Sequence, residues 1–263
     1  MASFSSQKEL QDRYFDARTM MMQFTAEGSD FLKDTIDDLF PLLNKTFSVG
    51  DIKGEVLIQM SIGIYFPYIL PACEPFRDIY VGGSTDKCIT ELEKWRKNAP
   101  DAVDFSYAAK VAYKEQSNRE CWTEKQNMLR MKMKPGLKYD VNNTNPFHPT
   151  VLPPADCLFL IHCLECHTTD EEGFCRALKH ASFLLKKGGH LLMIACLGET
   201  FYMVGDFKWN HLSMEAEFVK KALCDAGYEI KELHVLPRAV RCRYEMGDYH
   251  SFLLTVALKK RDV

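Results

Sequence analysis

The stretch Glu55 to Gly63, EVLIQMSIG, running without a break into IYFPYILPACE, constrains this chain more than any other. An apolar run that reaches a glycine and continues as a helix-length amphipathic segment reads as the first strand, turn and helix of an α/β fold. In nucleotide-binding folds of that kind the turn needs glycine so that backbone can approach a ligand, and an acid near it grips polar groups. Here the turn is Gln59-Met60-Ser61-Ile62-Gly63-Ile64, with one glycine and no acid. Ile62, Ile64, Tyr65 and Phe66 predict an apolar pocket mouth, either filled or holding an apolar ligand.

Strands alternating with helices follow. Phe76 to Val81 is the second strand, Asp86 to Lys97 a charged helix opened by Ser84-Thr85-Asp86, and Asp104 to Gln116 and Arg119 to Met133 two further helices. Leu137 to Val141 is a third strand. Asp156 to Cys163, apolar on both faces, is a buried fourth. Asp170 starts a helix through Leu185 that the basic pair and glycines of Lys186-Lys187-Gly188-Gly189 are expected to stop, and His190 to Leu197 is the fifth strand. Phe201 to Trp209 reads as a hairpin around Gly205-Asp206. Ser213 opens a helix, and Tyr228 to Leu236 and Ser251 to Leu258 close the chain as strands. Ahead of the sheet, Gln7 to Phe24 reads as one helix, and Ser29 or Asp30 caps a second through Phe31, Leu32, Ile36, Leu39, Phe40 and Leu43 to Gly50.

The expected architecture is α/β: one domain, residues 1–263, with a helical cap over 1–50 and a Rossmann-like, mostly parallel sheet over 51–263. A chain of 263 residues with 46% hydrophobic residues buries a full core. A net charge of -3 gives no bias toward nucleic acid or an anionic membrane. No window has the length of a membrane span and the N-terminus has no apolar leader, so a cytoplasmic protein is expected. The ten cysteines, irregularly spaced, read as reduced core residues. Trp95, Trp122 and Trp209 read as packing residues.

His162-Cys163-Leu164-Glu165-Cys166-His167 is the sharpest local pattern. Cys163 to His167 fits the C-x-x-C-H haem-attachment spacing, and two thiols with two imidazoles have the chemistry of a zinc site. Strand alternation is expected to send these side chains to opposite faces, so neither metal nor haem is expected and buried or reactive thiols are the reading kept.

Nearly end to end, through KGEVLI, LPACEPF, ELEKW, LKYDV, LPPADC, CRAL, LLKKGGHL, YMVG and DAGYEI, the chain resembles the S-adenosylmethionine-dependent small-amine N-methyltransferases, the group of nicotinamide, indolethylamine and phenylethanolamine N-methyltransferases. The resemblance implies a class I methyltransferase fold of seven strands in the order 3-2-1-4-5-7-6, the last-numbered pair antiparallel to the rest, with the first two helices across the carboxyl ends of the strands. It implies S-adenosylmethionine as cofactor, with Gly63, Asp140 and Val141 as cofactor-binding residues and Tyr202 beside the substrate. Where the family's first turn reads D-I-G-S-G-P, this chain keeps only the last glycine, Gly63. Gly83 stands in place of the ribose-binding aspartate and Cys88 in place of an asparagine near the adenine. Met20 and Thr25 replace lid tyrosines, Ile161 a threonine and Ala195 an aspartate near the acceptor amine. No catalytic residue and no metal are implied. Two functions follow: a non-catalytic protein that binds a small apolar molecule or a partner, or serves structurally; or an active N-methyltransferase of a small amine such as nicotinamide or an indolethylamine.

Overall fold

The computed structural model describes residues 7–25, 27, 29, 31–32, 35, 37–49, 51–63, 65–112, 119–238 and 246–262. Its sheet is built outward from β1 (Gly54–Ser61), paired in parallel with β2 (Phe76–Gly83) on one side and β4 (Ala155–Ile161) on the other. A short β3 (Leu137–Lys138) extends the β2 edge; β5 (Leu185–Leu197), β9 (Ser251–Lys259) and β8 (Tyr228–Pro237) extend the other. The seven-stranded order is β3-β2-β1-β4-β5-β9-β8, with β6 (Phe201–Val204) and β7 (Phe207–Asn210) as a separate hairpin turning at Gly205, φ 58°. The order is the expected one, with a correction of direction. Strand β9 is antiparallel to β5 and to β8, so β8 runs with the parallel set and β9 alone is reversed. The crossover helix before β8 returns the chain to the entry side of the sheet, and reversal waits for the final hairpin.

Side-chain alternation along β1 separates two cores. Leu57 faces a cluster that contains Met20, Phe24, Phe40, Phe159 and Ile161; Val56, Ile58 and Met60 face one built on Phe174, Leu178, Val219 and Leu223. The N-terminal cap covers the first face. The helices α8 (Glu171–Ser182) and α9 (Ala216–Asp225) cover the second.

Several boundaries differ from expectation, each for a local reason. Gln7 to Phe24 is two helices, α1 (Gln7–Tyr14) and α2 (Ala17–Thr25), because the Asp16 carboxylate accepts from the Thr19 N–H and hydroxyl, both at 2.9 Å, and caps a new start. After α2, Phe31, Leu32 and Thr35 are helical, with Ser29 Oγ accepting from the Leu32 N–H at 3.2 Å, and a turn at Asp37-Asp38 separates them from α3 (Leu39–Ser48); Asp30, Ile36 and Gly50 lie outside the described residues. The segment after β1 makes one α-turn, α4 (Phe66–Ile69), and then a 3₁₀ turn (Leu70–Cys73), since Pro71 has no N–H to give to the Pro67 carbonyl. Helix α5 is Asp86–Arg96. Helix α6 is Ser106–Ala112, with the expected end at Gln116 outside the described residues, and α7 is Arg119–Lys132.

Gly188 and Gly189 do not stop α8, which ends at Ser182. They lie inside β5, at a register shift opposite Ala155 and Cys157 where Gly188 takes φ 82°. The helix ends where Lys259 Nζ, from β9, donates to the Ser182 and Leu185 carbonyls at 2.7 and 2.9 Å. Helix α9 begins at Ala216 and not at Ser213, because the Met214 carbonyl is held by the Gly198 N–H at 3.0 Å. Trp95 and Trp209 are packing residues: Trp95 stacks on Phe66 with centroids 3.8 Å apart, and Trp209 packs on Phe15 and Phe207.

Helix α5 is anchored by Thr85, fully buried, whose Oγ1 accepts from the Cys88 N–H at 3.2 Å. Thr85→Ala leaves that donor orphaned at a helix start. We expect a loss of about 0.5–2 kcal/mol in urea denaturation; an unchanged midpoint contradicts the cap.

Candidate functional site

At the carboxyl ends of β1, β4 and β5, helix α2 and the residues before β9 enclose a pocket of about 490 Å³ including its open mouth. Phe24, Phe31, Tyr65 and Tyr249 form aromatic walls, with Phe31 edge-on to Phe24 at 4.7 Å and to His162 at 5.7 Å. Met20, Ile62 and Met246 add apolar surface. The polar lining is His162, Glu199, Tyr202 and Arg238, with the thiols of Cys166 and Cys196 between them. Arg238 donates through Nη1 to the Gly247 and Tyr249 carbonyls, and its guanidinium lies 4.2 Å from the Tyr249 ring.

His162 reaches the pocket through its backbone. Strand β4 ends at Ile161, and His162 takes φ 43°, its N–H donating to the Ile194 carbonyl at 2.9 Å and its carbonyl accepting from the Ile62 N–H at 3.2 Å. The ring is thereby turned among Phe31, Tyr65 and Phe252. This corrects the reason given for separating the two thiols and two imidazoles: they lie beyond the strand, and a turn divides them. His162 and Cys166 line the pocket, while Cys163 Sγ and the His167 ring pack on Tyr139, at 3.3 Å from its Oη and 5.4 Å from its centroid. Among the described residues no group of three or more His, Cys, Asp or Glu is placed to share a metal ion. The described cysteines are free; Cys73, Cys88, Cys157, Cys163, Cys166 and Cys196 are buried, Cys175 and Cys224 exposed.

Burial sets the protonation of the floor. It drives His162 down to about 3, with His211 adding repulsion, and pushes Glu165 up to about 8. Glu199 Oε2 stands 3.2 Å from His211 Nε2, while His211 Nδ1 faces two carbonyls at 3.1 Å and so carries its hydrogen. Nε2 is then the bare nitrogen and makes no hydrogen bond. Burial raises Glu199 far above the carboxylate range and lowers His211 to about 4, so both groups are held neutral.

A sequence model described as the NNMT/PNMT/TEMT family matches residues 4–260. The chain belongs to this family. It is 39% identical to indolethylamine N-methyltransferase of Oryctolagus cuniculus over 75% of each chain, and 33% identical to nicotinamide N-methyltransferase of Homo sapiens over 91% of each. Phenylethanolamine N-methyltransferase of Mus musculus is 35% identical over 73% of this chain and 67% of that one. The fold is that of the class I methyltransferases. Magnesium protoporphyrin IX methyltransferase (ChlM) from Synechocystis PCC 6803 with bound SAM superposes with TM-score 0.58 at 12% identity over 98% of this chain and 100% of that one; the DhpI–SAH complex gives 0.58 at 11% over 98% of each.

The residues that family likeness singles out do not all converge. Tyr202 lines the pocket. Gly63 lies beside it under Met20, whose Sδ occupies the place a Cβ on Gly63 would need. Asp140 and Val141 lie after β3, outside that lining. Asp140 Oδ1 accepts from the Asn142 N–H and amide at 2.9 Å, and Val141 is buried in the second core with its carbonyl bonded to His180 Nδ1 at 2.9 Å. A Cβ on Gly83 would fall 2.7 Å from Cys88 Cβ. Lys8 Nζ of α1 takes the next carbonyl, Ser84 O, at 2.6 Å, and Gln7 and Gln11 both donate to Cys166 O. Of the apolar residues expected at the mouth, Ile62 and Tyr65 line the pocket, Phe66 is in the core on Trp95, and Ile64 lies outside the described residues. Sequence reasoning missed Glu199, Arg238 and the aromatic walls, and met His162 only as a metal candidate.

Glu165 is buried and its Oε1 makes no hydrogen bond. With its folded value raised from 4.5 to about 8, its stabilising share is complete below about 4.5 and is lost as pH rises through about 8. His162, lowered from 6.5 to about 3, acts oppositely: its share is complete above 6.5 and is lost as pH falls toward about 3. Glu165→Gln removes the first dependence. Relative to the parent it should gain about 1.4 kcal/mol per pH unit between about pH 4.5 and about pH 8, and no more above that, in urea denaturation; parallel stability–pH curves contradict this.

Proposed function

We propose that this family member binds a small, apolar molecule in the aromatic pocket and does not transfer methyl groups, its cofactor cradle being closed by its own side chains. The observation that carries the reading is at Gly83: no acid faces a ribose there, and Cys88 Cβ fills the direction in which one would project. A hydrogen bond to a charged acceptor contributes roughly 1.5–3 kcal/mol, so its loss alone weakens a cofactor by roughly tenfold to a hundredfold. Lys8 on the Ser84 carbonyl and Met20 over Gly63 fill the adjoining space. Asp140, with its carboxylate turned to Asn142, and buried Val141 do not supply a replacement. The residues present do not fit S-adenosylmethionine in the family's pose. Since methyl transfer to an amine depends mostly on positioning, absence of the bound donor suffices to abolish it. The reading treats the chain as one cytoplasmic domain, with residues 1–50 capping 51–263.

Isothermal titration with S-adenosylmethionine and S-adenosylhomocysteine, together with mass spectrometry of nicotinamide and tryptamine incubated with S-adenosylmethionine and protein, tests this. We expect no saturable heat and no methylated product. Micromolar affinity, or turnover, restores the enzyme reading. Restoring the acid alone is not a repair: Gly83→Asp forces its Cβ onto Cys88 and should lower stability by about 1–3 kcal/mol without conferring binding, as thermal unfolding with and without the cofactor will show.

A further inference from the structure

His162 is 4% exposed and Tyr202 5%, and both line the pocket; His162 Nε2 makes no hydrogen bond, and Tyr202 Oη has only the weak thiol partner of Cys166 beside it. Buried polar atoms left in that state cost free energy comparable to a lost hydrogen bond, so a ligand that pairs with them is favoured over one that only fills the space. His162 Nδ1 is 3.7 Å from Cys196 Sγ, a neutral thiol held protonated by burial. If the thiol donates to Nδ1, Nε2 bears hydrogen and needs an acceptor; in the other tautomer Nε2 needs a donor. A hydroxyl serves either tautomer and can pair with Tyr202 Oη as well. An ammonium, which has donors only, serves one, and a hydrocarbon serves neither.

Charge points the same way. The carboxyl in the lining, Glu199, stands 3.2 Å from His211 and is held neutral by burial. Among the described lining residues Arg238 carries a permanent charge, and it is positive. An ammonium entering here loses its hydration without a free counter-charge.

Resting on the reading that the pocket holds a ligand, we propose that it selects uncharged ring compounds bearing a hydroxyl, with His162 Nε2 and Tyr202 Oη receiving that group and Phe24, Phe31, Tyr65 and Tyr249 enclosing the ring. The specificity is thereby turned away from amines, and His162 is the residue that turns it.

Three nearly isosteric probes separate the possibilities at neutral pH: benzyl alcohol, benzylamine as its ammonium, and ethylbenzene. Titrated into the unmodified protein and followed by calorimetry and protein NMR, benzyl alcohol should bind with about millimolar affinity, as befits so small a ligand, and about tenfold tighter than benzylammonium. The ¹⁵N resonance of His162 Nε2 should move with benzyl alcohol and not with ethylbenzene. Tyr202→Phe, which removes only a hydroxyl beside the Cys166 thiol, should keep the fold and cut the preference for alcohol over hydrocarbon several-fold. Equal or tighter binding of benzylammonium, no binding of the alcohol, or an unmoved Nε2 resonance overturns the proposal. Because none of these readouts involves S-adenosylmethionine, they fail or succeed separately from the cofactor test.

Discussion

The backbone of Ile62 is the point on which the carboxyl edge of the sheet depends. Its N–H donates to the His162 carbonyl at 3.2 Å, and its carbonyl accepts from Ser84 Oγ at 3.0 Å. One residue thus ties the end of β1 to the turn after β4 and to the turn after β2. Ser61 Oγ closes the bend by donating to the Gly63 carbonyl. Among the described residues, neither Ser61, Ile62 nor Gly63 has positive φ. Replacing the motif's first glycine by Ser61 has therefore not strained the backbone; the turn is built in a conformation that ordinary residues adopt.

From that pinned turn follow the two halves of the site. Toward β2 the surface is closed, with Cys88 against Gly83 and α1 strapped across by Lys8, whose partner Asp12 also pairs with Lys138 at 3.1 Å. Toward β5 it stays open, because His162, held at φ 43°, faces a ring of aromatic side chains that cannot collapse onto one another. Apart from the Arg238 guanidinium, the described polar groups of the open half are neutral. Glu199, Glu165, His211 and His162 are all buried, and each is driven to its neutral form by loss of hydration. Such a floor distinguishes ligands by hydrogen-bond direction more than by charge.

Much of this was legible in the chain before folding. The apolar run into Gly63, the alternation of strands and helices, the hairpin at Gly205 and the family's motif string all lead to the observed sheet order, and the missing acid and the missing first glycine foretell a changed cradle. Boundaries were less legible where a side chain or a distant residue ended an element. Asp16 splits the first helix through its own carboxylate, whereas α8 ends under Lys259, 77 residues beyond Ser182. The role of His162 was hidden because its place in a Cys/His string resembles a ligand set, while its direction depends on one positive φ.

The sequence by itself determined the elements, their order and the chemistry lost from the first turn, because hydrophobic periodicity and local turn residues act over short separations. Tertiary structure alone decided that Met20 covers Gly63, that Gln7 and Gln11 hold the Cys166 carbonyl across 159 and 155 residues, and that Phe31, Tyr65, His162 and Tyr249 share one pocket. Those contacts join segments remote in the chain, and the side-chain directions that make them follow from packing and burial, which no local pattern encodes.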